Sequence, residues 1–106
     1  MIQSAYCAVD SNSTNGAQTV RNESNVAQVN RTAAGTFAVH FTDDLCNTQY
    51  AVIAGTNGGA ATEWYIGYNR VSARQCNIII IDSAGAGADI DFTMYVLADA
   101  DASIGA

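Results

Sequence analysis

The chain has 106 residues, room for one domain with a thin core, and its 49% apolar and 13% charged residues place it with globular rather than disordered proteins. Ten acidic residues stand against four arginines, Arg21, Arg31, Arg70 and Arg74, with no lysine and a net charge of −6. Scattered cations in an acidic field do not displace phosphate counterions, which argues against a nucleic-acid partner, and no stretch approaches the roughly 20 apolar residues of a membrane-spanning helix.

The first residues, Met1-Ile2-Gln3-Ser4-Ala5-Tyr6, have neither a basic start nor a long apolar run, so no secretory leader is expected. The first predicted strand covers residues 5–9. It puts Ala5, Cys7 and Val9 on one side, because successive side chains of an extended chain point to opposite faces. Residues 10–16 are polar and read as a loop. Residues 19–31 carry Val20, Val26 and Val29 among polar neighbours and read as one extended edge stretch, irregular near residues 22–25. Asn-x-Ser/Thr triplets begin at Asn12, Asn22 and Asn30; without a leader they follow simply from a composition rich in Asn, Ser and Thr.

Ala33-Ala34-Gly35 turns the chain into its clearest strand, residues 37–41, with Phe37, Val39 and Phe41 on one side. Leu45 and Tyr50 then pin a short connection, and Tyr50, Val52 and Ala54 restart the period of two over residues 49–55. The two runs are therefore predicted to be neighbouring antiparallel strands on a shared core. Thr56-Asn57-Gly58-Gly59 is a turn, since Asn and Gly tolerate positive φ. Beyond it Trp64, Ile66 and Tyr68 alternate with Tyr65, Gly67 and Asn69.

The last two strands break the usual alternation. Ile78-Ile79-Ile80-Ile81 puts isoleucine on both faces, and residues 91–97 set Phe92, Met94 and Val96 against Thr93, Tyr95 and Leu97. Both faces of these strands are expected to leave water. A two-layer sandwich leaves its outer faces wet, and no 3.6-residue period supplies a covering helix, so the expected cover is another copy of the chain. The alternative is a central strand in a more fully covered sandwich or barrel. The candidate subunit-interface residues are Trp64, Tyr65, Ile79, Ile81, Tyr95 and Leu97. The predicted fold is all-β, an antiparallel, jelly-roll-like sandwich over residues 1–97, with residues 98–106 as a flexible acidic tail.

Chemistry-bearing residues are sparse. His40 with Asp43 and Asp44 is the nearest thing to a catalytic cluster, but no nucleophile motif accompanies it, and a solvated turn after a strand explains it. Asp82, Asp89 and Asp91 flank the flexible glycine-containing loop at residues 82–89. Their spacing misses the calcium-loop pattern, and Gly85-Ala86-Gly87 lacks the helix and lysine of a phosphate cradle. Cys7, Cys46 and Cys76 are odd in number, far apart and without a CxxC pair, so they read as buried small hydrophobes. A Cys7–Cys76 bridge would require adjacent strands. Trp64, Tyr65 and Tyr68 are a possible sugar-stacking platform, although aromatics in a strand more often serve core or interface. No enzymatic activity, cofactor or metal is expected.

The order of motifs carries a resemblance. Asn25-Val26-Ala27-Gln28-Val29 precedes the Gly-x-Phe-x-Val-x-Phe strand at residues 35–41. Then come a small or acidic turn, Asn-x-x-Tyr-x-Val at residues 47–52, a variable hairpin and an isoleucine-rich strand. A Gly-containing loop ending in Asp and a closing hydrophobic strand at residues 92–97 complete the series. This series resembles the β-sandwich modules that end tail fibres, tail knobs and related appendages of tailed bacteriophages. The resemblance implies a homotrimer without enzymatic activity, made in the host cytoplasm and built into the virion. Fibre proteins also carry an anchor and a shaft, so a module of this size is similar instead to the small decoration or cement proteins of phage heads, whose partner is the major capsid protein. The other implied role is an appendage tip that binds a host-surface glycan.

Overall fold

The computed structural model describes residues 2–57 and 63–99. Among them nine strands form two antiparallel sheets packed face to face: β1 (Ile2–Asp10), β2 (Gly16–Ala17), β3 (Thr19–Ser24), β4 (Val26–Ala33), β5 (Thr36–Phe41), β6 (Ala51–Thr56), β7 (Trp64–Ser72), β8 (Gln75–Asp82) and β9 (Phe92–Asp99). The smaller sheet runs β3-β1-β9-β6 and the larger β2-β4-β5-β8-β7. The described residues contain no helix, hence none long and apolar enough to cross a membrane.

The period-two pattern places the core as expected. Ala5, Cys7 and Val9 of β1 and Phe92, Met94, Val96 and Ala98 of β9 point inward from one sheet. Val26, Val29, Phe37, Val39, Phe41, Cys76, Ile78 and Ile80 meet them from the other. Two aromatic contacts join the layers and close one end: Phe37 against Phe92 with ring centroids 5.2 Å apart, and Phe41 edge-on to Tyr50 at 5.9 Å. Such tilted pairs add about 0.5–1.5 kcal/mol to the burial itself. Ala98 is fully buried and β9 continues to Asp99, so the last strand takes in the first two residues of the expected tail; residues 100–106 lie outside the described residues.

Two expectations about strand partners are corrected. Residues 37–41 and 49–55 are not neighbours: β5 lies between β4 and β8, whereas β6 pairs with β9 in the other sheet. Leu45 and Tyr50 do pin the connection, but to a different element. The Leu45 N–H donates to the Ala73 carbonyl at 2.8 Å, and the buried Tyr50 hydroxyl lies 3.0 Å and 2.9 Å from the Ser72 and Gln75 carbonyls. The connection therefore docks on the β7–β8 turn while crossing between sheets. A period of two fixes which face is inward and says nothing about which edge is paired.

The second correction concerns residues 19–31, which are two strands in different sheets. The expected irregular centre is where the chain changes layer: Asn22 and Asn25 take positive φ, 49° and 56°. Asn tolerates that conformation better than most residues. Asn25 also fastens the crossing, since its Oδ1 accepts the Asp43 N–H at 2.8 Å and its carbonyl accepts the Thr42 N–H at 3.2 Å. Of the predicted turn at residues 56–59, Gly58 and Gly59 lie outside the described residues.

Residues 82–87 form a hydrogen-bonded turn instead of an open loop. Asp82 Oδ1 accepts the Ala84 and Ala86 N–H groups at 2.9 and 3.0 Å, and the Asp82 N–H donates to the Ala86 carbonyl at 2.8 Å. This folds the chain back so that the Ala88 N–H reaches the Ile80 carbonyl at 3.0 Å.

Candidate assembly surfaces

Strand register decides which apolar side chains share an outer face. On the smaller sheet Tyr6 of β1 stands opposite Tyr95 of β9, and Tyr95 opposite Ile53 of β6, an unbroken row across three strands. The Tyr6 and Tyr95 rings stack at 6.1 Å with planes 10° apart. Leu97 sits in the next row between Ser4 and Ala51. Ile53 is 71% exposed, and Tyr6, Tyr95 and Leu97 are each about two-fifths exposed. A shallow groove of about 380 Å³ runs beside the tyrosines, walled by Ala8, Asn22 and Thr93.

The opposite outer face, on the larger sheet, centres on β8. Ile81 pairs with Tyr65, and Ile79 lies between Gly67 and Thr36. Gly67 has no neighbouring atom within 4 Å of where a side chain would begin, so one flank of Ile79 stays open. Ile79 is 39% exposed and Tyr65 53%, while Ile81 is half-buried. The isoleucine run thus alternates, with Ile78 and Ile80 fully buried and Ile79 and Ile81 partly exposed.

Of the six interface candidates, Tyr65, Ile79 and Ile81 share one outer face, and Tyr95 and Leu97 share the other. Trp64 reaches neither: it turns inward at the start of β7 and packs half-buried against the core. The sugar-stacking platform is corrected for the same reason, since Tyr65 points away from Trp64 and Tyr68 on the alternating strand. Tyr68 instead lies beneath the Arg70 guanidinium, 5.9 Å from the ring centre. Tyr6 and Ile53 belong to the smaller sheet's outer row and were not among the candidates. Their signal was alternation, as each falls between inward-facing neighbours, Ala5 and Cys7 or Val52 and Ala54.

The candidate catalytic residues stand apart. His40 is half-buried in β5 between Gln28 and Gln75, Asp44 pairs with Arg74 at 2.7 Å, and Asp43 meets Asn25, so the three do not converge. Asp91 accepts the Ser11 N–H at 2.8 Å. Among the described residues, no group of three or more His, Cys, Asp or Glu side chains could hold a metal ion. Cys7 and Cys76 are buried and free, with no bridge between them, and Cys46 is free and half-buried. Burial pushes the Cys7 thiol up to about 12, helped by the negative charge of Glu23. Burial likewise raises Cys76 to about 11, against hydrogen bonds from Tyr50 and Asn69 that favour the thiolate. Both are protonated at neutral pH, unlike nucleophilic cysteines.

Asp89 carries the one mostly buried ion pair among the described residues. Its Oδ1 and Oδ2 accept from Arg31 Nε and Nη2 at 2.9 and 3.0 Å, and Oδ1 also accepts the Gly35 N–H at 3.0 Å. The Arg31 hydrogen bonds hold its carboxyl below the usual range, seconded by the Gly35 N–H and opposed by burial. A depressed folded value means that the ionised form stabilises the fold above the unfolded pKa of about 3.9, and that this contribution fades as pH falls through the folded value. Asp89→Asn is expected to lower the thermal midpoint at neutral pH and to flatten its decline below about pH 4, measured by circular dichroism melts. Parallel acid profiles for the two proteins would show that Asp89 contributes nothing.

No protein-family model, no curated protein and no solved structure matches the chain.

Proposed function

We propose that this protein is a non-enzymatic structural component of a tailed-bacteriophage virion, a homotrimeric, jelly-roll-like sandwich that decorates or cements the capsid. The observation that carries the reading is the pair of opposite outer faces bearing exposed apolar side chains: Tyr65 and Ile79 on one, Tyr6, Ile53, Tyr95 and Leu97 on the other. A subunit with two apolar sides can contact two neighbours at once, as every member of a closed ring of three must. These side chains are already about half buried within the subunit, so covering three or four of them contributes roughly 2–5 kcal/mol before association costs. The pairing of the first and last long strands, β1 with β9, supports the jelly-roll-like description, and the motif order supports the phage assignment. The major capsid protein is the expected partner beyond the trimer itself.

Ile79→Asp tests the reading. Ile79 lies on an outer face, so the variant should fold, as far-ultraviolet circular dichroism would report, yet run as a monomer in size-exclusion chromatography with light scattering, because assembly would bury an unpaired carboxylate. A folded variant that stays trimeric would remove Ile79 from the interface. Purified protein should also re-bind phage heads stripped of it.

A second reading, an appendage tip that binds a host-surface glycan, is favoured by the stacked Tyr6–Tyr95 pair beside its groove. In that case Tyr95→Ala would abolish binding to host polysaccharide and leave the oligomer unchanged.

A further inference from the structure

Four strands end the two sheets, and three of them carry devices that obstruct pairing with another chain. Strand β2 has only two residues. In β3, Arg21 and Glu23 flank Asn22 at a register break. Strand β7 carries Arg70 and breaks register between Arg70 and Ser72. Charges, short length and bulges are the usual protections of a sheet edge. Strand β6, Ala51-Val52-Ile53-Ala54-Gly55-Thr56, has none of them within its own six residues; the Arg70 guanidinium reaches only the Tyr50 carbonyl just before it, at 3.0 Å. It contains no charge and no proline, and its six residues run in unbroken register with β9.

The Asn57 N–H donates to the Asp91 carbonyl at 2.7 Å, in phase with that register. Because antiparallel bonding alternates, Ala51, Ile53 and Gly55 direct their backbone groups at β9, and Val52, Ala54 and Thr56 direct theirs to the open side. No described strand pairs with that side.

We propose that β6 pairs antiparallel with β6 of a second copy about a two-fold axis beside Ile53, joining two smaller sheets into one. Self-pairing suits this strand for three reasons. A chain of net charge −6 resists meeting its copy except where the contact is neutral, and β6 brings no like charges together. Centred on Ile53, the pairing bonds Val52 of each copy to Ala54 of the other. It sets the two Ile53 side chains in a non-hydrogen-bonded pair, where side chains approach most closely. The row Tyr6–Tyr95–Ile53 then continues into its own symmetry copy, covering the most exposed large apolar side chain described. This contact uses backbone groups at an edge and does not rest on the trimer reading.

Light scattering on the full chain, with amide hydrogen exchange followed by NMR at Val52 and Ala54, tests it. An even number of copies with those amides protected is the expected result. Ile53→Lys, at an outward position, sets two cations beside the axis and should halve the mass and abolish the protection. Ala54→Pro removes an N–H that points away from β9 and should also halve the mass. A trimer whose two amides exchange freely overturns the edge contact and leaves the trimer reading standing. A dimer that Ile53→Lys converts to monomers supports the edge contact and overturns the trimer reading. A monomeric wild type overturns both, and an even-numbered assembly indifferent to both variants overturns the edge contact.

Discussion

Gly35→Ala is expected to destabilise the fold by about 2–5 kcal/mol, the sum of a left-handed backbone cost near 1–2 kcal/mol and an overpacking cost of 1–3 kcal/mol. Gly35 has φ of +71°, and a Cβ there would lie 2.2 Å from the Ile80 carbonyl oxygen, 2.5 Å from the Ala88 nitrogen and 2.9 Å from the Gly87 Cα. All three neighbours are backbone, so no side chain can swing aside. They are also tied in place: the Ile80 N–H donates to the Gly35 carbonyl at 2.7 Å, and the Gly35 N–H donates to Asp89. Gly87 approaches the same turn from the other side, with a hypothetical Cβ 2.1 Å from the Ala34 carbonyl oxygen. The two glycines let the β4–β5 turn and the segment after residue 86 interlock. Gly85→Ala separates the two costs, because Gly85 has φ of +87° and nothing within 4 Å of its hypothetical Cβ. Urea unfolding should show it losing only about 1–2 kcal/mol. Equal losses for the two variants would mean that the close approach at Gly35 costs nothing.

Phe37→Ala should cost about 3–5 kcal/mol, the usual loss for removing a buried phenyl ring and leaving a cavity. Phe37 is fully buried in β5, with its ring against Phe92 of β9, so it holds one sheet to the other. Domains of this size have only about 5–15 kcal/mol in all, and the variant should keep its strands while its unfolding midpoint falls sharply. Tyr95→Ala, on an outer face but stacked on Tyr6, should cost the isolated subunit only about 1 kcal/mol. A loss below about 1 kcal/mol for Phe37→Ala would show that the layers are held together elsewhere.

Inward and outward sides were legible from residue order almost everywhere. Ala5, Cys7 and Val9, then Phe37, Val39 and Phe41, then Phe92, Met94 and Val96 all lie buried as their spacing predicts. The two-sided apolarity of the last strands was legible too, and it directs attention to Ile79, Tyr95 and Leu97, which stand exposed. Trp64 was not placed correctly by its chemistry. Its size suggests a contact residue, but its parity along β7 turns it toward the core.

The amino-acid sequence by itself determined the all-β class, the membership of the core and the apolarity of the outer faces, because a strand's side chains alternate whatever lies beside it. Only the tertiary structure decided that β5 and β6 belong to different sheets, that Asn25 carries the chain between layers, and that Tyr6, Tyr95 and Ile53 form one row. The reason is that pairing joins backbone groups of residues far apart in the chain. Those groups are the same at nearly every position, so the choice of partner rests on how the whole core packs.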